Sequence, residues 1–172
     1  MTLLVRVLAL LNAHQVPHAL IGAAALAARG IARSTYDIDL LTTDQRVLRA
    51  DMWAVLGAEG ATVDIRRGDQ DDPLGGVVRA ESPLERPVDI VLGKHAWQAR
   101  AVERAEQLPG GPPIVTPQDL IVLKLYAGGT QDLWDVRELL RLVGTDRLIA
   151  DVSADLADHP QSMRDVWAEA RR

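Results

Sequence analysis

The sequence predicts an α/β (α+β) fold, in which helices pack against a β-sheet and a helical portion follows at the C-terminus. Segments with the two-residue period of strands alternate with segments of helical period up to about residue 106. The run Pro109-Gly110-Gly111-Pro112-Pro113 then breaks the chain, and only helical patterns follow it. We therefore predict a core over residues 1–108 and a helical portion over 109–172 packed on it, in a chain whose 172 residues can bury one core.

The N-terminal elements are predicted from the spacing of apolar residues. Leucine and valine recur at helical spacing, which predicts a helix over residues 2–14, and a short strand is expected at 18–21. Small residues over 22–28 favour a second helix that begins at a glycine. From residue 35 to 41 polar and apolar side chains alternate, which is typical of a strand with one buried face.

The middle of the chain is predicted to hold one helix, three strands and another helix. Asp44 is a suitable N-cap for a helix that runs to about residue 56. Short strands are expected at 61–66 and 76–80, on either side of a charged turn. The apolar run at 88–92 is the strongest of these strands, and a helix is expected from about 94 to 106.

The C-terminal helices are predicted from their capping residues. Thr116 supplies an N-cap hydroxyl, Pro117 fits the first helical position and Asp119 is an acid three residues after the cap. This helix should run to residue 127, where two glycines follow. Further helices are expected at 130–143 and, broken at Pro160, over 146–172.

Composition and charge exclude several classes of protein. The net charge of −5 provides no general basic surface for nucleic acid, so any such contact must be local. With no cysteine, the chain has no disulfides and no cysteine-based zinc site. The apolar stretch over 3–11 contains an arginine and is too short to cross a bilayer, so we expect no signal peptide and no membrane partner. A cytoplasmic protein is the expectation.

Three aspartates are the main candidates for chemistry. Asp37 and Asp39 lie two residues apart on a predicted strand, so both side chains point to the same face. Two carboxylates so close repel each other unless a cation or a shared proton relieves them. Asp89 lies on a strand that we expect beside the first, and three such carboxylates could hold Mg²⁺ or Mn²⁺ against substrate phosphates. An isolated Asp-x-Asp, however, is more often a solvated strand edge.

The residues around this pair favour the functional interpretation. Gly22 follows a strand and begins a helix, a geometry in which backbone N–H groups receive phosphate. Arg33 and Thr35 place a cation and a hydroxyl just before the acids.

Lys124 is one of only two lysines in the chain. It lies beside an apolar stripe of its predicted helix and either extends to solvent or binds triphosphate oxygens. Asp132 and Asp135 share one face of the next helix, where a structural pairing with Lys124 or Arg137 is at least as well supported as a chemical role.

The run from Leu20 to Leu41 resembles the nucleotidyltransferase-fold proteins of the AbiEii toxin-like group. That group has a glycine motif followed by Arg-x-Thr/Ser-x-Asp-hydrophobic-Asp, which Arg33 to Asp39 matches. Its third acid lies in a strand like Val88-Asp89-Ile90, and its later lysine and Asp-x-x-Asp helix are matched by Lys124 and Asp132 to Asp135. The similarity covers roughly residues 16–143 in order.

The resemblance implies a polymerase-beta-type nucleotidyltransferase fold with a mixed sheet. It also implies transfer of a nucleoside monophosphate from an NTP to an RNA, protein or small-molecule hydroxyl, in a component of a toxin-antitoxin pair with a cognate antitoxin or partner protein. Asp37, Asp39 and Asp89 would hold the metal. The phosphate-binding residues would be Gly22, Ala23, Arg33, Thr35 and Lys124, with Asp132 and Asp135 in support.

One departure from the family pattern keeps an alternative open. The superfamily usually has Gly-Ser or Gly-Gly where this chain has Gly22-Ala23, so a hydroxyl that helps to hold phosphate is absent. The alternative is therefore a catalytically inactive protein of the same fold that acts as a binding or regulatory partner. A nuclease is a weaker alternative, since no His-Asp pairing or basic groove supports it.

Overall fold

The computed structural model describes all 172 residues, and their contacts divide the chain into two units. The first unit comprises residues 1–25 and 33–115, and the second comprises 26–32 and 116–172. The β-sheet lies in the first unit, and the second is helical. The division of the chain at residue 108 stays a prediction.

The first unit is built on a seven-stranded sheet with the strand order β3-β4-β5-β2-β1-β7-β6. The strands are β1 Ala19–Ile21, β2 Ile38–Thr42, β3 Thr62–Arg67, β4 Gly76–Glu81, β5 Val88–Leu92, β6 Glu106–Gln107 and β7 Pro113–Ile114. Two pairs, β2 with β5 and β1 with β7, are parallel, whereas the other four pairs are antiparallel. The sheet is therefore mixed, as predicted.

Eight α-helices accompany the sheet. They are α1 Leu3–Ala13, α2 Gly22–Ala28, α3 Ala54–Ala58, α4 Ala96–Glu103, α5 Pro117–Ala127, α6 Thr130–Val143, α7 Asp146–Asp155 and α8 Gln161–Ala170. None is long and apolar enough to cross a membrane. In α1, Leu3, Val7 and Leu11 are buried along one stripe, which is the amphipathic pattern that their spacing predicts.

The core of the first unit lies on one face of the central strands. Leu40 of β2 is paired with Ile90 of β5, and Ile90 is paired with Val78 of β4. All three side chains are fully buried. Because side chains alternate along a strand, the residues before and after them point to the other face, where β2 and β5 carry aspartates.

The second unit is held together by apolar helix faces and a few polar contacts. The Trp167 indole N–H of α8 donates to the Ser153 hydroxyl of α7 at 2.9 Å. In α5, Thr116 caps the helix by accepting from the Asp119 N–H at 3.1 Å, and Gly128 ends it in a left-handed conformation. The helix has the bounds that its caps predict.

Three predicted elements differ in the structure. The single helix expected over 44–56 is two 3₁₀ turns, at 45–48 and 50–53, followed by the short α3. The buried Trp53 indole N–H donates to the Val47 carbonyl at 2.7 Å, between one 3₁₀ turn and the next. This side-chain contact occupies a carbonyl that would accept a backbone hydrogen bond in a continuous helix. Residues 108–112 form the connection between β6 and β7, two strands too short to be predicted, and Pro113 itself belongs to β7.

The third difference is the start of β2. The strand expected from residue 35 begins at Ile38, so Asp37 lies in a bend just before it. The Thr35 hydroxyl donates at 3.0 Å both to the Asp37 carbonyl and to its carboxylate. This local contact occupies groups that would otherwise be available to a strand.

Candidate metal centre

Asp37, Asp39 and Asp89 converge on one place in the first unit. One carboxylate oxygen from each lies within 4.8 Å of the others. The cause is the parallel pairing of β2 with β5, whose register sets Asp39 directly opposite Asp89. Asp37 lies two residues before Asp39 and joins them from the bend. The structure thus brings together acids that are fifty residues apart in the sequence.

Gly22 lies against one of these acids. The register of β1 with β2 pairs Ile21 with Asp39, which places the next residue beside the Asp39 carboxylate. A Cβ built on Gly22 would stand 2.1 Å from Asp39 Oδ2, and the backbone φ is +65°. Both the space and the conformation therefore require glycine.

Asp37 is held from two sides. The Thr35 hydroxyl contacts its carboxylate, and an Arg86 guanidinium nitrogen donates to its carbonyl oxygen at 2.8 Å. The Thr35 hydroxyl thus orients an aspartate, and the phosphate-binding role that the resemblance implies for Thr35 stays a prediction. The side chain of Asp37 remains about one third exposed, so it can be reached by a ligand.

Arg79 is the site residue that the sequence analysis missed. It lies on β4 directly opposite Asp89. Its Nη1 is 2.7 Å from Asp89 Oδ2 and 3.8 Å from Asp37 Oδ2, and its Nε is 2.7 Å from Glu81 Oε1. The sequence holds one weak signal of this role, since Arg79 and Glu81 alternate with apolar residues on a strand predicted to be short.

Burial and charge set the electrostatics of Asp89. Burial raises the pKa of the Asp89 carboxyl, the charges of Asp37 and Glu81 raise it further, and Arg79 opposes them. Oδ2 accepts from Arg79, but Oδ1 is buried with no hydrogen-bond partner. A buried oxygen without a partner destabilises the fold unless a ligand satisfies it.

These residues fit a divalent metal ion. Three carboxylates supply the hard oxygen ligands that Mg²⁺ and Mn²⁺ take, and the buried Asp89 Oδ1 lacks another partner. Glycine at position 22 leaves the space beside the Asp39 carboxylate open, whereas any side chain there would fill it.

The other predicted phosphate ligands are placed in different surroundings. Ala23 is buried and has no polar side-chain group, so its backbone N–H is the one donor that it could offer to a ligand. Arg33 is half-buried in the first unit. Lys124 belongs to the second unit, where its Nζ lies 2.8 Å from Asp132 Oδ1 and 2.8 Å from Asp135 Oδ2. The structure therefore shows the pairing of Lys124 with the Asp-x-x-Asp helix.

Two cavities flank the central strands of the first unit. One of about 650 Å³ is lined by Tyr36 and Pro87, the residues beside Asp37 and Val88, and by Glu81. Another of about 770 Å³ includes Thr43 and Gly93, so it lies at the opposite ends of β2 and β5 from the acids. The smaller cavity is at the same ends of these strands as the acids, and none of the three aspartates lines it.

Comparison with solved structures identifies the fold. The crystal structure of ANT(2'')-Ia in complex with adenylyl-2''-tobramycin has a TM-score of 0.57 to this chain and 20% sequence identity, over 89% of this chain and 94% of that one. The chain has the nucleotidyltransferase fold. A solution structure of the antibiotic-resistance factor ANT(2'')-Ia agrees, with a TM-score of 0.57 and 19% identity over 95% of this chain and 90% of that one.

The mixed sheet with packed helices that the sequence predicts is the architecture of this fold. A more distant likeness is to terminal uridylyl transferase 4 from Trypanosoma brucei with bound GTP, with a TM-score of 0.36 and 15% identity over 78% of this chain and 47% of that one. No protein-family profile and no curated protein sequence matches the chain.

Proposed function

We propose that the protein is a metal-dependent nucleotidyltransferase that moves a nucleoside monophosphate from an NTP to a hydroxyl acceptor and releases pyrophosphate. The observation that carries this proposal is the convergence of three carboxylates within 4.8 Å in a nucleotidyltransferase fold. The strand register that creates this cluster leaves two like charges directly opposite each other. Like charges so placed repel each other unless positive charge neutralises them, and the single charge of Arg79 is shared among three carboxylates.

Each acid has a role in this proposal. Asp37 and Asp39 would hold the ion that binds with the triphosphate, and Asp89 would hold the ion that acts on the acceptor. Bound Mg²⁺ or Mn²⁺ would supply positive charge to the phosphates and lower the pKa of the acceptor hydroxyl. Asp89 would also take the proton of the acceptor hydroxyl.

The phosphates would be received beside Asp39. Gly22 and Ala23 offer backbone N–H groups there, which do not depend on the hydroxyl that the usual Gly-Ser supplies. Arg33 would add positive charge. The role of Lys124 on phosphate stays a prediction, and its two short contacts with Asp132 and Asp135 support the structural alternative.

The acceptor is proposed to enter through the cavity beside Tyr36. Its volume of about 650 Å³ is in the range of small-molecule sites. A small-molecule hydroxyl is also the kind of acceptor implied by the adenylyl-2''-tobramycin in the ANT(2'')-Ia structure. RNA and protein acceptors, a toxin-antitoxin role of the AbiEii-like kind and a cognate antitoxin stay predictions, as does a cytoplasmic location.

The alternative function is that of a catalytically inactive binding protein. Two observations favour it: alanine stands at position 23, and Arg79 occupies one oxygen of Asp89. Incubation with each α-labelled NTP, Mg²⁺ or Mn²⁺ and hydroxyl acceptors separates the two functions. An enzyme transfers label to an acceptor, whereas an inactive protein binds the nucleotide without turnover.

The substitution Asp39→Asn tests the binding site itself. The amide keeps the shape of the side chain but removes one charge from the cluster, so we expect binding of Mg²⁺ with a non-hydrolysable NTP to weaken by about 1.4 kcal/mol or more, which is tenfold. Isothermal titration calorimetry measures this. The proposal fails if the variant binds the complex as tightly as the parent.

Asp64→Asn is the matched control. Asp64 lies on β3 opposite Arg79, and its side chain is exposed and paired with Arg66 at 2.7 Å, outside the metal cluster. This variant loses the same charge and should bind Mg-NTP like the parent. Circular dichroism of both variants should match the parent, because neither substitution changes the apolar core.

A further inference from the structure

We propose that Arg79 is the resident counter-ion of the acidic cluster and competes with the divalent metal for Asp89. It would make metal binding depend on the nucleotide. This inference rests on the proposed function, because it assumes that Asp37, Asp39 and Asp89 hold the metal.

The Arg79 side chain contacts its two main partners through different nitrogens. Nη1 is 2.7 Å from Asp89 Oδ2, and Nε is 2.7 Å from Glu81 Oε1. Glu81 lies two residues along the same strand and is half exposed, so it does not belong to the metal cluster. Nη1 can therefore leave Asp89 while Nε keeps its contact with Glu81, and the guanidinium keeps an anionic partner in both positions.

The charges around Arg79 explain why a cation is needed there. Asp37 and Asp89 both lie within 4.0 Å of Nη1, and Asp39 completes the cluster. With no metal bound, Arg79 supplies positive charge to at least two of these three carboxylates. A bound divalent cation removes that need and repels the guanidinium, since both carry positive charge.

The binding order follows from this competition. A bare metal ion must displace Arg79 from Asp89, which weakens its binding. A triphosphate brings anionic oxygens that offset the charge of the guanidinium, so the same ion binds more tightly with nucleotide. Arg79 is thus a positioning residue, which holds the Asp89 carboxylate through Oδ2 until the metal and the nucleotide bind together.

The test is the affinity of the protein for Mn²⁺ alone, measured from the electron paramagnetic resonance signal of the free ion. Arg79→Gln removes the competing charge, so we expect Mn²⁺ to bind about tenfold more tightly than to the parent. With a non-hydrolysable NTP present, the difference in Mn²⁺ affinity between Arg79→Gln and the parent should be smaller. The matched control is Arg66→Gln, an exposed arginine of the same hairpin paired with Asp64, which should leave Mn²⁺ affinity unchanged.

Arg79→Lys provides a second variant in case the glutamine variant does not fold. Lysine restores the positive charge, but its single nitrogen cannot reproduce the separate contacts of Nε with Glu81 and Nη1 with Asp89. The Mn²⁺ affinity of this variant should therefore lie between those of the parent and Arg79→Gln. Melting temperatures add an independent readout. Arg79→Gln should lower the melting temperature in EDTA and lose most of that deficit in Mn²⁺, whereas a purely structural arginine would give equal deficits in both.

The outcomes separate this inference from the proposed function. If the parent binds Mn²⁺ and Asp39→Asn does not, but Arg79→Gln and Arg79→Lys bind it with parental affinity, competition by Arg79 is wrong and the metal site stands. If the parent itself binds no Mn²⁺ with or without nucleotide, both proposals are wrong.

Discussion

Gly22 illustrates how a single residue position is determined by its neighbour across the sheet. Its φ of +65° is unfavourable for residues with a Cβ, and the Asp39 carboxylate fills the space that a Cβ would need. Other glycines, such as Gly60, share the positive φ but have no atoms within 4 Å of the point that a Cβ would occupy, so only their backbone conformation favours glycine. A comparison of substitutions at Gly22 and Gly60 therefore distinguishes the effect of backbone strain from the effect of crowding against Asp39.

The substitution Gly22→Ala should damage both stability and binding. Alanine at this φ destabilises the fold by about 1–2 kcal/mol, and displacement of the Asp39 carboxylate adds to that and weakens Mg-NTP binding. Urea unfolding and calorimetric titration measure the two effects.

Gly60→Ala is the control with the same strain. It should lower the free energy of unfolding by about 1–2 kcal/mol and leave Mg-NTP binding unchanged. Equal nucleotide binding by the Gly22 and Gly60 variants would contradict the close contact between Gly22 and Asp39.

The sequence predicts the acids of the site better than their partner. Asp37 and Asp39 are predicted from strand alternation, and Asp89 from an apolar strand that contains one acid. The alternation of Arg79 and Glu81 does not by itself predict the role of Arg79, because that role depends on the register of β4 with β5, which sets Arg79 opposite Asp89. Such a register is set across the connection between two strands and is not visible in the spacing of residues along either one.

At the scale of elements, α5 and α6 are joined by a buried group of charges. Lys124 of α5 lies between Asp132 and Asp135 of α6, at 2.8 Å from each. The Asp135 side chain is fully buried and that of Lys124 is 12% exposed. A charge buried in this way requires its partner, because water cannot replace it.

The substitution Lys124→Met should destabilise the second unit strongly. It removes the cation that lies between two carboxylates, and loss of one partner of a buried pair typically reduces the free energy of unfolding by about 3–5 kcal/mol. Urea denaturation measures this loss. A phosphate role for Lys124 would appear separately, as weaker nucleotide binding well below the melting temperature.

Arg141→Met on α6 is the control for an exposed pair. Arg141 contacts Glu138 at 2.9 Å but is 71% exposed, so its loss should change the free energy of unfolding by no more than about 0.5 kcal/mol. If Lys124→Met were as mild as this control, the buried charge group would not stabilise the packing of α5 against α6.

Elements with strong local signals are the ones that the sequence predicts well. The N-cap at Thr116, the proline after it and the glycines after residue 127 define α5 at both ends. The segment from 44 to 58 is predicted poorly, because its apolar residues fit a helix while the buried Trp53 contact favours 3₁₀ turns. Tertiary packing decides such a segment, and helical periodicity does not reveal it.

At the scale of the whole molecule, the net charge and the fold are known, but they leave the acceptor open. The chain carries a net charge of −5, and none of its helices could span a membrane. Its fold is shared with ANT(2'')-Ia at only 20% sequence identity, so overall similarity does not identify the acceptor. The mixed sheet matters because its strand order brings β1, β2, β4 and β5 side by side, and each contributes to the site or to its edge.

The central claim is that Asp37, Asp39 and Asp89 hold one divalent cation site together with the triphosphate. The most direct test is a crystal structure of the protein with Mn²⁺ and a non-hydrolysable NTP, in which anomalous scattering locates the ion. We expect an anomalous peak within about 2.0–2.4 Å of an oxygen from each of the three aspartates, with nucleotide phosphate oxygens also in contact with the ion. A nucleotide bound elsewhere, or a Mn²⁺ peak that none of the three carboxylates contacts, would contradict it.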